Sequence, residues 1–179
     1  MLNQQPKIQM STNATPEFAA IKHWSLFGRQ GTPSAKRATA ESWKHTPFQK
    51  PVTKPWNQVI PRDDLPKLLN GSIPEQMEDK WFVYAEGPDG QGNATLHFHR
   101  SWTGSKMVEA KLVIELNENG EVLEKDARFT EVTWETDKER YNGDMDAPGM
   151  VLEVLQWCMG CKIRPPTTKG SESKDDEDN

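Results

Sequence analysis

The chain predicts an α+β fold: an antiparallel sheet of about four strands, a C-terminal helix packed on one face, and disordered tails. Three observations lead there. Four runs rich in β-branched and aromatic residues (Trp81–Glu86, Thr95–Trp102, Met107–Leu116 and Val122–Trp134) follow one another through short, turn-forming connections. No crossover helix fits between them, so they pair antiparallel. Near the C-terminus Val151, Val154, Leu155 and Cys158 share one helical face, which a sheet with one apolar face can take up.

Each element has a local reason. In T-P-E-F-A-A-I-K-H-W-S-L-F-G, Thr15 can cap, Pro16 suits the first helical position and Gly28 suits the stop. Phe18, Ile21, Trp24 and Phe27 recur at helical spacing, which makes this a short amphipathic helix. Residues 29–55 are rich in Pro, Lys, Thr and Ser and read as a linker or extended arm. Order begins near Trp56. I-P-R-D-D-L-P-K-L-L-N-G reads as a short helix ended by Asn70-Gly71. Between the first two strands G-P-D-G-Q-G-N is a loop, and N-E-N-G is the turn after the third. The fourth run bends near Lys125-Asp126. Asp146 caps the last helix, with Pro148 in its first turn. The expected organisation is a basic, aromatic-containing arm over 1–55, partly disordered around its one helix. An α+β domain covers 56–163, and a disordered acidic tail covers 164–179.

Composition narrows the class. The 179 residues suit one ordinary domain with tails, and only 34% are hydrophobic. No apolar run is long enough for a membrane span, and the start M-L-N-Q-Q-P-K-I-Q-M-S has no apolar signal core. Two cysteines, Cys158 and Cys161, are too few for a disulfide framework. The expectation is a cytoplasmic protein with no membrane partner. Charge is asymmetric: residues 1–56 hold eight Lys or Arg and two Glu, the remainder 14 basic and 25 acidic residues. The two parts can attract each other or serve different partners.

Chemistry concentrates in L-H-F-H-R-S-W-T-G, Leu96 to Gly104. Strand alternation puts Leu96 and Phe98 on the core face and His97, His99 and Ser101 on the other. One reading is a solvated strand face. Another is an anion site at the strand end: Arg100 offers a planar fork, Ser101, Thr103 and the Gly104 amide add short donors, and His99 adds one tuned near neutrality. A zinc set of His97, His99, Cys158 and Cys161 is disfavoured, because the helix and the two histidines fall on opposite sides of the sheet. Cys158-x-x-Cys161 is poorly placed for redox work, since it lies at a helix C-terminus. His99 and Ser101 are held apart as i, i+2 neighbours, and no phosphate-loop, dinucleotide or nucleophile-elbow pattern is present. Trp24, Trp43 and Trp56, interleaved with Phe and Lys in the arm, could stack on single-stranded nucleic acid. Covering the domain's own surface is favoured instead, because exposed tryptophans invite association.

E-D-K-W-F-V-Y (Glu78 to Tyr84), followed by L-H-F-H-R-S-W-T-G, resembles a group of small bacterial and fungal proteins with no established activity. In them E-D-K-W-F, a short loop and F-H-R-S-W-T-G occur in that order, ahead of a strand and a C-terminal helix. The likeness spans roughly residues 56–160, with specific signal only in the two motifs. It implies that Lys80, Trp81, Phe82, His99, Arg100, Ser101, Trp102 and Thr103 form one constellation. His97 stands where the group carries an aromatic.

The functional expectation is a module that binds a small anionic ligand, phosphate- or nucleotide-like, through Lys80, His99, Arg100, Ser101, Trp102 and Thr103, with no cofactor and no metal. Two alternatives stand beside it. One is a hydrolase-type enzyme with His99 as acid/base and a carboxylate partner. The other is a protein-interaction adaptor using the 1–55 arm. Nucleic acid is a disfavoured partner.

Overall fold

The computed structural model describes residues 15–166. The predicted tails therefore lie largely outside the described residues. Helix α1 spans Pro16–Phe27, and the Thr15 hydroxyl accepts from the Phe18 amide at 3.3 Å, as a Ser/Thr cap does. Strand β1 covers Pro51–Ile60, and a 3₁₀ turn at Arg62–Asp64 leads into α2, Leu65–Asn70. Strands β2 (Trp81–Glu86), β3 (Asn93–Arg100), β4 (Lys106–Val113) and β5 (Ala127–Glu135) follow. Helix α3, Ala147–Glu153, is capped by Asp146 and continues as a π-helical turn over Val154–Cys158.

The sheet is antiparallel with order β1-β5-β4-β3-β2. It has five strands rather than about four. The additional one, β1, pairs with β5 at the sheet edge and starts at Pro51, inside the segment read as an arm. Pro51 and Pro55 made that segment look like a linker, but an edge strand tolerates proline because one side of its backbone needs no partner.

One face of the sheet carries the main core. Leu96 and Phe98 of β3, Val108, Ala110 and Leu112 of β4, and Phe129 and Val132 of β5 pack with Val151, Val154 and Leu155 of α3 and with Leu65 and Leu68 of α2. Every one of these side chains is buried, and full burial of each Val, Leu or Phe among them contributes about 1.5–3 kcal/mol relative to exposure.

The opposite face is covered where β2 and β3 form it. Residues 29–50 run from the end of α1 along the outer edge of β2 and across the end of the β3–β4 hairpin to β5. Arg37 donates to the Ala85 and Gly87 carbonyls, and the Thr46 and Lys106 backbones bond across to Gly104 and Thr46. The buried Glu135 carboxylate accepts the Gln49 and Lys50 amides at 2.7 and 2.8 Å. Ala38, Trp43 and Ile73 close over Phe82 and Tyr84 as a second, smaller core. This connection passes so near Gly104 (φ +74°) that a Cβ there would sit 3.0 Å from the Lys44 carbonyl.

Candidate ligand-binding site

The H-R-S-W-T-G stretch is the end of β3 and the turn into β4, closed by Gly104 N–H to Arg100 O at 2.8 Å. Its alternation is as expected, but its histidine face is not solvated. His97, His99 and Ser101 are 7%, 1% and 1% exposed, because residues 38–46 lie over them. His99 packs among Phe82, Tyr84 and the exposed His45 ring, and its Nδ1 has no hydrogen-bond partner. Burial, followed by the charges of His45, Lys106 and His97, pulls its pKa down to about 3. His99 is therefore neutral, and among the described residues no carboxylate lies within 4 Å of its ring nitrogens. The carboxylates go to His97 instead, with Glu86 at 3.5 Å from Nε2 and Glu109 at 3.7 Å from Nδ1.

Arg100 lies over the Trp81 ring at 5.0 Å. Its fork is used inside the protein: Nη1 donates to Leu26 O at 2.5 Å and Nη2 to Ser25 O at 3.1 Å. These carbonyls belong to the last turn of α1, where a cation also meets the negative end of the helix dipole. Trp81 Nε1 bonds Leu26 O, Trp157 Nε1 bonds Gly28 O, and Cys158 Sγ bonds Phe27 O. Four side chains from three elements thus clamp one helix end. Ser101 donates to Asp79 O at 2.5 Å, and the Thr103 hydroxyl accepts from Ser105 N at 3.2 Å. Arg100 and Ser101 are occupied as struts and the exposed Thr103 sits on the turn outside both clefts, which leaves Lys80 and Trp102 as the members of the predicted set that face the clefts.

Two clefts flank that pair. The first, about 650 Å³, lies between the chain after α1, the start of β2 and the end of the π turn, with Phe27, Thr32, Ser72, Trp81 and Cys158 on its walls. Within it Arg29 is spent on Asp79, Nε to Oδ1 at 2.6 Å and Nη2 to Oδ2 at 3.2 Å. Burial pushes the Asp79 carboxyl up, but the Arg29 hydrogen bond and the Glu75 and Gln76 amides outweigh it and hold the group below its ordinary value. Lys80 lines the same cleft. Its Nζ sits 4.0 Å from the centroid of the Trp102 ring and makes no ion pair among the described residues. The second cleft, about 480 Å³, is walled by Trp43, Pro74, Met77 and Trp102, with Lys44 and Glu75 beside them. Glu75 borders both clefts.

Arg29, Asp79 and Met77 are not singled out by the sequence, and Trp43 is singled out only as an arm tryptophan expected to cover the domain's own surface, which it does over Phe82 and Tyr84. Asp79 has a signal, since it stands inside the E-D-K-W-F motif. Arg29 has none, because it sits in the segment whose composition reads as linker.

The cysteines have no ligand role in this geometry. Burial pushes both the Cys158 and Cys161 thiols up to about 12, so both stay protonated. Among the described residues no group of three or more His, Cys, Asp or Glu side chains is arranged to hold a metal ion. Among the described residues no helix is long and apolar enough to cross a membrane. No protein-family model, curated protein or solved structure matches the chain.

Proposed function

We propose that this protein is a binding module for a small anionic ligand, held in the 650 Å³ cleft with its negative group at Lys80. The observation that carries this reading is the Lys80 ammonium: a cation at the cleft wall, resting on Trp102 and unpaired among the described residues, where its neighbour Arg29 is paired with Asp79 through Nε and Nη2. A half-buried lysine with no carboxylate partner is ready for an anion, and the aromatic ring beneath it lowers the cost of waiting in place. The hydroxyls of Thr32 and Ser72 on the walls add neutral donors. Relative to the sequence expectation, the binding role narrows to Lys80 and Trp102, while Arg100 and Ser101 keep the walls in position and Thr103 bonds only within its own turn. The enzymatic alternative loses ground on His99, which is neutral and sealed away from both clefts.

Isothermal titration with phosphate-bearing compounds tests the reading. Wild type should bind, Lys80→Met should lose at least tenfold in affinity, and its melting temperature without ligand should match wild type. Equal affinity in Lys80→Met would refute it.

A further inference from the structure

The second cleft answers what else the ligand must carry. We infer that the groove between Trp43 and Trp102 seats a flat aromatic ring on the same ligand whose anionic group meets Lys80, which makes the ligand class a nucleotide. The inference rests on the Lys80 reading and goes beyond it.

The groove's chemistry selects the ring. Trp102 is 57% exposed and Met77 70%, in a chain whose other large aromatics around β2 are buried. Both indoles are fixed by their own N–H groups: Trp43 Nε1 donates to Ser101 O at 2.8 Å and Trp102 Nε1 to Met77 O at 2.9 Å. What remains on offer is π surface, the Pro74 ring and the Met77 thioether, with Lys44, Glu75 and Gln76 as the polar groups of the lining and no indole donor to spare. A proline-rich peptide, the other common occupant of tryptophan-lined grooves, brings backbone carbonyls that need donors, and the groove has none from its indoles. A flat heterocycle stacks by its faces while its polar edge stays in water, and it gains from a soft sulfur beside it.

Position selects the anion. Lys80 Nζ stands 4.0 Å from the Trp102 centroid, so a ring laid against Trp102 has a cation within reach of a short, sugar-length spacer. The two clefts share Glu75 and are separated by the Lys80–Trp102 pair itself, so a ligand spanning both would touch each member of it. Ser101, buried and bonded to Asp79 O, ties the floor of the second cleft to the chain segment that carries Lys80.

The test titrates AMP, adenosine, ribose 5-phosphate and inorganic phosphate into wild type, Trp102→Leu and Lys80→Met. AMP should bind wild type roughly five- to hundred-fold more tightly than ribose 5-phosphate, the range expected for one base–aromatic stack. Trp102→Leu should erase that advantage, since any loss through Lys80, which rests on this ring, falls equally on AMP and ribose 5-phosphate, and Lys80→Met should bring AMP down to the level of adenosine. Equal affinity for AMP and ribose 5-phosphate in wild type would overturn the ring seat and leave the Lys80 reading standing. Equal affinity for AMP and adenosine, unchanged in Lys80→Met, would overturn the Lys80 reading and the nucleotide with it. No binding of any of the four at millimolar concentration would overturn both.

Discussion

Replacing Arg100 with alanine should destabilise the protein by about 2–4 kcal/mol and loosen α1 before anything else. The figure follows from what the side chain touches. Two charge-assisted hydrogen bonds to the Leu26 and Ser25 carbonyls contribute about 1.5–3 kcal/mol each, and the cation–π contact with Trp81 about 0.5–2. Against these stands the desolvation of a largely buried guanidinium, which costs several kcal/mol and is recovered on truncation. Leu26 O keeps a donor in Trp81 Nε1, whereas Ser25 O has only water to turn to. Arg100→Lys keeps the charge but offers one ammonium where two carbonyls need a fork, so it should lose about half as much. Urea unfolding gives the stabilities, and amide exchange at Phe27 and Gly28 reports on the clamp. If Arg100→Ala stays within about 0.5 kcal/mol of wild type, with exchange in the last turn of α1 unchanged, the strut assignment is wrong.

Stability should fall as pH drops from about 6.5 towards 3. Folded His99 stays neutral down to about 3, while the unfolded ring takes a proton near 6.5; His99→Leu should flatten that slope, and an unchanged slope would contradict the burial. Glu135→Gln leaves amides of residues 49, 50, 136 and 137 competing for one oxygen. It should cost about 2–4 kcal/mol and speed proteolysis within residues 36–50, with equal cleavage rates as the contrary result. Gly28→Ala puts a Cβ 1.9 Å from Glu78 O at a φ of +71°, so it should lower stability by about 2–4 kcal/mol. A melting temperature equal to wild type would show that the chain after α1 is not held where described.

Elements governed by local chemistry were legible before any coordinates. Strand β2 falls on Trp81–Glu86 as read, and α1 lies between its predicted cap and stop. What failed depends on contacts distant in sequence. Pro51 and Pro55 carry a linker's composition, and only the pairing with β5 turns that segment into a strand. The helical spacing of Phe18, Ile21 and Trp24 identifies the helix but not its inward face. These three are 59%, 67% and 49% exposed, while Phe27 is buried and His23 bonds Glu153 at 2.7 Å. For the site, the two motifs lie on the paired strands β2 and β3 and the turns beside them, with Lys80 against Trp102 and Trp81 against Arg100. Alternation could not say that His99 would be roofed over, since the roof comes from a segment more than fifty residues upstream. Arg100 looked like a free fork for the same reason: its acceptors lie 74 and 75 residues away.

The clamp on α1 also bears on how the chain comes to be folded as it leaves a ribosome. Carbonyls at residues 25–28 wait for donors at 81, 100, 157 and 158, and β1 waits for β5. Asp64 waits for the amide of Lys162, and Gln58 for the carbonyl of Arg164. The earliest segments synthesised are thus the last to find partners, and the local hairpins β2–β3 and β3–β4 in the middle close first. Until β5 emerges, β1 has no strand partner and Ile60 no core to enter, and until Trp157 and Cys158 emerge, the end of α1 with Phe27 is only partly held. That nascent interval, more than the finished fold, is when the protein is open to aggregation, and a truncation that removes only the end of α3 should strip α1 of two of its four clamping side chains, Trp157 and Cys158.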